Sequence, residues 1–122
     1  MRKFLLLVLF VISLPTLAEK NQKNEWQAST LSDSTIANIQ KAKYEYLTCI
    51  TQEVKKRSKI KMDTRAATDL VLKECEKNLT KVRSTFKKEN IPSNMADRYL
   101  KKTRTQTARK VLQEFIYAAA AR

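Results

Sequence analysis

The chain has 122 residues, with 25 lysine and arginine residues against 12 aspartate and glutamate residues, which gives a net charge of +13. It contains no glycine and no histidine. Without glycine the chain lacks phosphate-binding loops, dinucleotide fingerprints and nucleophile elbows, because each depends on backbone that glycine adopts most readily. Without histidine it lacks the commonest general base and metal ligand.

Residues 1–18 have the pattern of a cleaved secretory signal peptide. Residues 2–3 are basic, residues 4–14 form an apolar run, and residues 16–18 supply the small side chains of a cleavage site. The run of about 11 residues is shorter than the roughly 20 that cross a bilayer, which disfavours a retained anchor. We expect a chain exported by a Gram-negative-like bacterium, either periplasmic or secreted. Its charge then falls from +13 to +11, because Arg2 and Lys3 leave with the signal.

A polar segment without hydrophobic periodicity follows at 19–33 and predicts a flexible N-terminal arm. The arm holds the only tryptophan of the chain, Trp26. This side chain either packs back on the folded domain or anchors a protein partner, since tryptophan is enriched at the energetic centres of interfaces. The folded domain is expected at 34–122.

Apolar residues recur at three-to-four spacing in three segments, at 34–59, from a cap at Asp63 to about 89, and from about 94 to 120. Ser32, Asp33 or Ser34 is available to cap the first helix, and Ser93 the third. Three helices of roughly 39 Å with short connections predict an all-α, up-down-up three-helix bundle. The predicted apolar faces contain Ile36, Ile39, Tyr46, Leu47, Ile50 and Val54; Ala67, Leu70, Val71, Cys75, Leu79, Val82 and Phe86; and Ala96, Tyr99, Leu100, Thr103, Val111, Phe115 and Ala118.

The two cysteines are expected to form a structural disulfide. Cys49 and Cys75 are equidistant from Met62 in the predicted turn, so an antiparallel hairpin brings them to the same level. Export favours oxidation, and the chain has neither a CxxC motif nor a histidine that would indicate a metal or redox site.

Lys73, Lys77 and Lys81 form a basic row on the second helix, and further basic residues are concentrated in two places. The first we call the basic pole: Lys55, Lys56, Arg57, Lys59, Lys61 and Arg65, around the turn between the first two helices. The second, the basic stripe, consists of Arg98, Lys102 and Arg109, which lie within about 40° of one another on the third helix. Such clusters indicate either a solvated surface that maintains solubility or a site for an anionic partner.

Catalytic and metal-binding patterns are weak. Most carboxylates lie three or four residues from a lysine or arginine, as Asp69 does with Lys73, which is typical of solvated helix faces. Serine and threonine have no histidine partner. We therefore expect neither enzymatic activity nor a bound metal or cofactor.

The leading hypothesis is an exported binding protein whose basic surface engages anionic, phosphate-rich partners, such as phosphoinositide head groups or lipopolysaccharide. Attachment is expected to be peripheral, because the basic rows lack a flanking apolar face for insertion. Nucleic acid is less favoured, since Tyr44, Tyr46, Tyr99 and Phe115 are better explained as core or core edge than as stacking platforms. The alternatives are a periplasmic protein-interaction module (an inhibitor, immunity-type protein or chaperone) that uses Trp26, and an enzyme using carboxylates and lysine in a cleft.

Overall fold

A computed structural model describes residues 31–122. Within that range the chain forms four α-helices and no β-strand: α1 spans Asp33–Arg57, α2 Thr64–Glu74, α3 Glu76–Lys88 and α4 Ser93–Ala120. The predicted all-α class is confirmed. The predicted signal peptide, Trp26 and the arm up to residue 30 lie outside the described residues.

Polar side chains define where α1 and α2 begin. The Ser32 hydroxyl accepts a hydrogen bond from the Thr35 N–H at 3.2 Å. The Asp63 carboxylate accepts from the N–H groups of Arg65 and Ala66, each at 3.0 Å. Both contacts satisfy backbone donors that have no partner inside the helix.

The end of α3 is closed by Asn90, the one described residue with positive φ, at 56°. The N–H of Ile91 donates to the Phe86 carbonyl at 3.0 Å, and the N–H of Asn90 donates to the Lys87 carbonyl at 3.1 Å. This pair of bonds is the Schellman arrangement, in which glycine is the usual left-handed residue. Ile91, the next residue, has a buried side chain, and α4 begins two residues later at Ser93.

The predicted second helix is interrupted at Cys75, so the described residues contain four helices where the sequence predicts three. The backbone of Cys75 has φ −94° and ψ 3°, outside the helical region. On either side of it the packing changes, since α2 lies mainly against α4 and α3 mainly against α1. The break at Cys75 allows the segment formed by α2 and α3 to pack on α4 in its first half and on α1 in its second half.

The predicted disulfide is confirmed. Cys49 and Cys75 are bonded, with their Cα atoms 5.8 Å apart. Cys75 is fully buried and Cys49 is half-buried, so the covalent link runs from the core at the junction of α2 and α3 toward the surface of α1.

Tyr46, Val71 and Phe86 are among the most deeply buried side chains of a core that draws on every helix. Burial raises the pKa of the Tyr46 phenol above its ordinary value, so the group stays neutral. The ring of Tyr99 packs against Phe86 with centroids 4.9 Å apart, and Lys43 Nζ lies 5.7 Å from the Tyr99 centroid.

Three predicted core positions are exposed instead, namely Tyr44, Leu47 and Leu70. Each residue along a helix turns the side-chain direction by about 100°. Leu47 comes one residue after the buried Tyr46, and Tyr44 comes two residues before Tyr46. Neither side chain therefore lies on the buried face of α1. The interpretation of Tyr44 as core or core edge is therefore wrong, since 71% of its surface is exposed.

Candidate functional site

The basic pole is built from the end of α1, the loop at 58–63 and the start of α2. The end of α4 lies beside it, because the Arg122 guanidinium donates to the Ser58 carbonyl at 3.0 Å and to the Ile60 carbonyl at 3.3 Å. These bonds hold the loop backbone at Ser58 and Ile60, and Arg122 adds a further exposed cation to this end of the bundle.

Negative charge is scarce in the loop region. Between residues 55 and 65 there are six cationic side chains and a single carboxylate, that of Asp63. The Asp63 carboxylate is directed at the first amide groups of α2, where it complements the positive end of the helix dipole. It caps α2, and residues 55–65 keep a formal excess of five positive charges.

Two members of the basic pole are engaged in ion pairs. Glu53 contacts Lys56 Nζ at 2.9 Å and Arg57 Nη1 at 3.0 Å, and Arg57 Nη2 lies 4.0 Å from Glu74 on α2. Only 18% of the Arg57 side chain is exposed, and its Nε is buried without a hydrogen-bond partner among the described residues. Arg57 thus joins α1 to α2 and presents little charge to solvent.

The other four members, Lys55, Lys59, Lys61 and Arg65, are exposed. Within residues 31–122 none of them forms an ion pair. Their charges are available to a partner that approaches the loop along the long axis of the molecule.

The basic stripe does not join this surface. Arg98, Lys102 and Arg109 are exposed on the outer side of α4. Arg98 precedes the end of α4 at Ala120 by 22 residues, which corresponds to about 33 Å along the helix. Arg109 lies about 17 Å from that end by the same measure. The structure brings the pole residues together and leaves most of the stripe near the opposite end.

Comparisons with protein-family models, curated proteins and solved structures found no match to this chain. Assignment of function therefore depends on the surface itself. None of the helices in residues 31–122 is long and apolar enough to cross a bilayer. The same residues contain no cluster of three acidic or cysteine side chains arranged to hold a metal ion.

An open cavity of about 520 Å³ lies between α1 and α3, away from the basic pole. Lys41, Lys81 and Lys88 line it together with Glu45 and Glu89, so its charges are mixed. This mixture of signs gives it no clear preference for an anion.

Glu89 in this cavity already has partners on α1. Its carboxylate accepts from Asn38 Nδ2 and from the Thr35 hydroxyl, each at 2.7 Å. These two hydrogen bonds, that from Asn38 first, lower the pKa of Glu89 below its ordinary value of 4.5. The group is held as a carboxylate that ties the end of α3 to the start of α1, and its pKa is moved away from the range that suits a general base near neutral pH.

Sequence reasoning missed the apolar side chains exposed around the basic pole. Ile60 and Met62 in the loop are 52% and 37% exposed, and Ile116 and Tyr117 are exposed in the last turns of α4. A signal was present in the alternation of Lys59-Ile60-Lys61-Met62. It falls in a turn, where helical periodicity does not indicate which side chains are buried.

Proposed function

We propose that the chain is an exported, non-enzymatic protein that binds anionic, phosphate-rich membrane surfaces peripherally through its basic pole. The observation that carries this proposal is the cluster of four exposed cations, Lys55, Lys59, Lys61 and Arg65, with no ion pair in the described part of the chain. A lysine or arginine close to an anionic bilayer contributes about 1 kcal/mol to attachment.

The arrangement of the helices supports end-on binding. In this proposal α2 and α3 act as one interrupted arm, so that the domain works as an up-down-up bundle with three arms. The turn between its first two arms then presents the basic pole at one end, and the signal peptide expected at 1–18 delivers the protein to the periplasm or beyond the cell. Anionic lipid head groups and lipopolysaccharide phosphates are the surfaces with matching charge in those locations.

Vesicle binding across a salt series tests the proposal. Wild-type protein should bind vesicles that contain phosphatidylglycerol or a phosphoinositide and should not bind neutral phosphatidylcholine vesicles. Binding should weaken steeply as salt rises from 0.05 to 1 M, because the screening length falls to about 3 Å at 1 M. The triple variant K55E/K59E/K61E should lose about 100-fold in affinity, since three contacts of about 1 kcal/mol each are removed.

Two triple variants with the same change in net charge serve as controls. K73E/K77E/K81E alters exposed lysines along α2 and α3, and R98E/K102E/R109E alters the basic stripe. Both should retain binding within about fivefold if the basic pole is the contact surface. Equal losses in all three variants would indicate attraction by total charge alone, and absent or salt-independent binding would contradict the proposal.

A protein-interaction module remains the second candidate, and the exposure of Tyr44 favours it. Tyr44 borders an open cavity of about 340 Å³ that also contacts Cys49 and Asn78. Recovery of one stoichiometric protein from periplasmic extract, lost on deletion of residues 19–33 or in the Y44S variant, would support this candidate in place of membrane binding.

A further inference from the structure

The loop at 58–63 combines a backbone that is hydrogen-bonded at Ser58 and Ile60 with exposed apolar side chains. The Ile60 N–H donates to the Arg57 carbonyl at 3.0 Å, and the Ile60 carbonyl accepts from Arg122 at 3.3 Å. The backbone polar groups of Ile60 are thus satisfied within the protein. Ile60 is nevertheless 52% exposed to solvent, and Met62 is also exposed.

Further exposed apolar surface lies in the last turns of α4. Tyr117 precedes Arg122 by five residues, which is about 8 Å along a helix, and Arg122 contacts the loop directly. Tyr117 is 72% exposed, and its neighbour Ile116 is exposed as well. Tyrosine is enriched at the level of the lipid head groups, where its ring and its hydroxyl find different surroundings.

The chemistry of the loop at 58–63 matches the boundary between head groups and acyl chains of an anionic bilayer. Lys59 and Lys61 flank Ile60 directly and have long side chains whose ammonium groups reach phosphates while their methylenes lie against apolar surroundings. Apolar side chains among cations form the kind of surface that enters the interface of a membrane. This charge complementarity selects an anionic bilayer as the occupant.

We infer that Ile60 and Met62 insert into the interfacial region of an anionic bilayer, while the flanking lysines hold the head-group phosphates. The inference rests on the proposed function and adds a penetration step to it. It also revises the expectation from sequence that the basic residues lack flanking apolar side chains, because the loop supplies them.

Removal of the two apolar side chains tests the inference without changing charge. The I60S/M62S variant should bind phosphatidylglycerol vesicles about tenfold more weakly than wild type, because less apolar surface leaves water on binding. Its remaining binding should keep the salt dependence of wild type. The matched control L47S/L70S removes two side chains of similar exposure from α1 and α2 and should bind as wild type does.

Fluorescence reports the position of the loop directly. In a W26F background, I60W should shift to shorter wavelength on vesicle binding and be quenched by lipids with brominated acyl chains, whereas L47W should show neither effect. Unquenched I60W and full affinity of I60S/M62S, with binding still abolished in K55E/K59E/K61E, would overturn the insertion step alone. Absence of wild-type binding to anionic vesicles would overturn the proposed function and this inference with it. Binding of the pole to an acidic protein in preference to vesicles would also overturn it.

Discussion

Asn90 occupies the position where a helix of this kind usually ends with glycine. Its φ of 56° lies in the left-handed region, which costs an ordinary residue roughly 1–2 kcal/mol. Asparagine tolerates this conformation better than most residues, since its short polar side chain bonds locally. A chain without glycine has few other residues suited to this turn.

The role of Asn90 can be measured by two substitutions. N90A should lower the free energy of unfolding by about 1 kcal/mol, because alanine pays the cost of the left-handed conformation without compensation. N90G should leave it within a few tenths of a kcal/mol of wild type. Urea unfolding followed by circular dichroism gives both values, and equal stability of the two variants would contradict this explanation.

At the scale of single residues, local spacing predicted some roles and missed others. The capping by Asp63 was visible because it depends only on the first turn of α2. The burial of Arg57 was not visible in the sequence, because it involves Glu74, which approaches Arg57 only when α1 and α2 pack together. Ser93, expected as a cap, is instead the first residue of α4, and its neighbour Pro92 takes the cap position.

At the scale of the helices, the disulfide and the interruption between α2 and α3 occur at the same residue, Cys75. At Cys75 the segment formed by α2 and α3 changes from packing on α4 to packing on α1. Cys75 is also the residue that is disulfide-bonded to Cys49. The sequence predicted the pairing of the cysteines from their symmetry about the turn. It did not predict the interruption, because the change of neighbour is a property of the packed bundle.

Loss of the disulfide should destabilise the domain strongly. The bond spans 26 residues, and the chain-entropy relation assigns a loop of this size about 3.5 kcal/mol. The C49A/C75A variant should therefore unfold at a much lower urea concentration than oxidised wild type. Reduced wild type is the control and should behave like the variant, whereas unchanged unfolding midpoints in both would show that the bond adds little.

Across the whole molecule, the exposed cations of the basic pole lie at one end of an elongated bundle and most of the basic stripe lies toward the other. The sequence identified both groups, but their separation depends on how far apart they lie along the packed helices. A surface that binds the pole contacts the molecule end-on, and one that binds the stripe contacts it side-on. The two modes differ in the height of α1 above the surface.

Energy transfer to head-group acceptors should distinguish these orientations. A donor at Ser34, near the start of α1, should lie about 36 Å farther from the bilayer than Ser58 when the pole is bound. Transfer from position 34 should be much weaker than transfer from a donor at Ala119, which lies beside the pole. Donors introduced as non-natural amino acids leave the disulfide intact, and equal transfer from both positions would indicate side-on binding.

The position of the disulfide also determines what a protease does to this protein. The exposed loop carries Lys59 and Lys61, both cleavage sites for trypsin, and it lies between Cys49 and Cys75 in the sequence. A chain cut there remains one covalent molecule, because the two fragments are still joined by the bond between α1 and Cys75. Such a nicked form would run as intact protein on a gel and separate into two bands only after reduction.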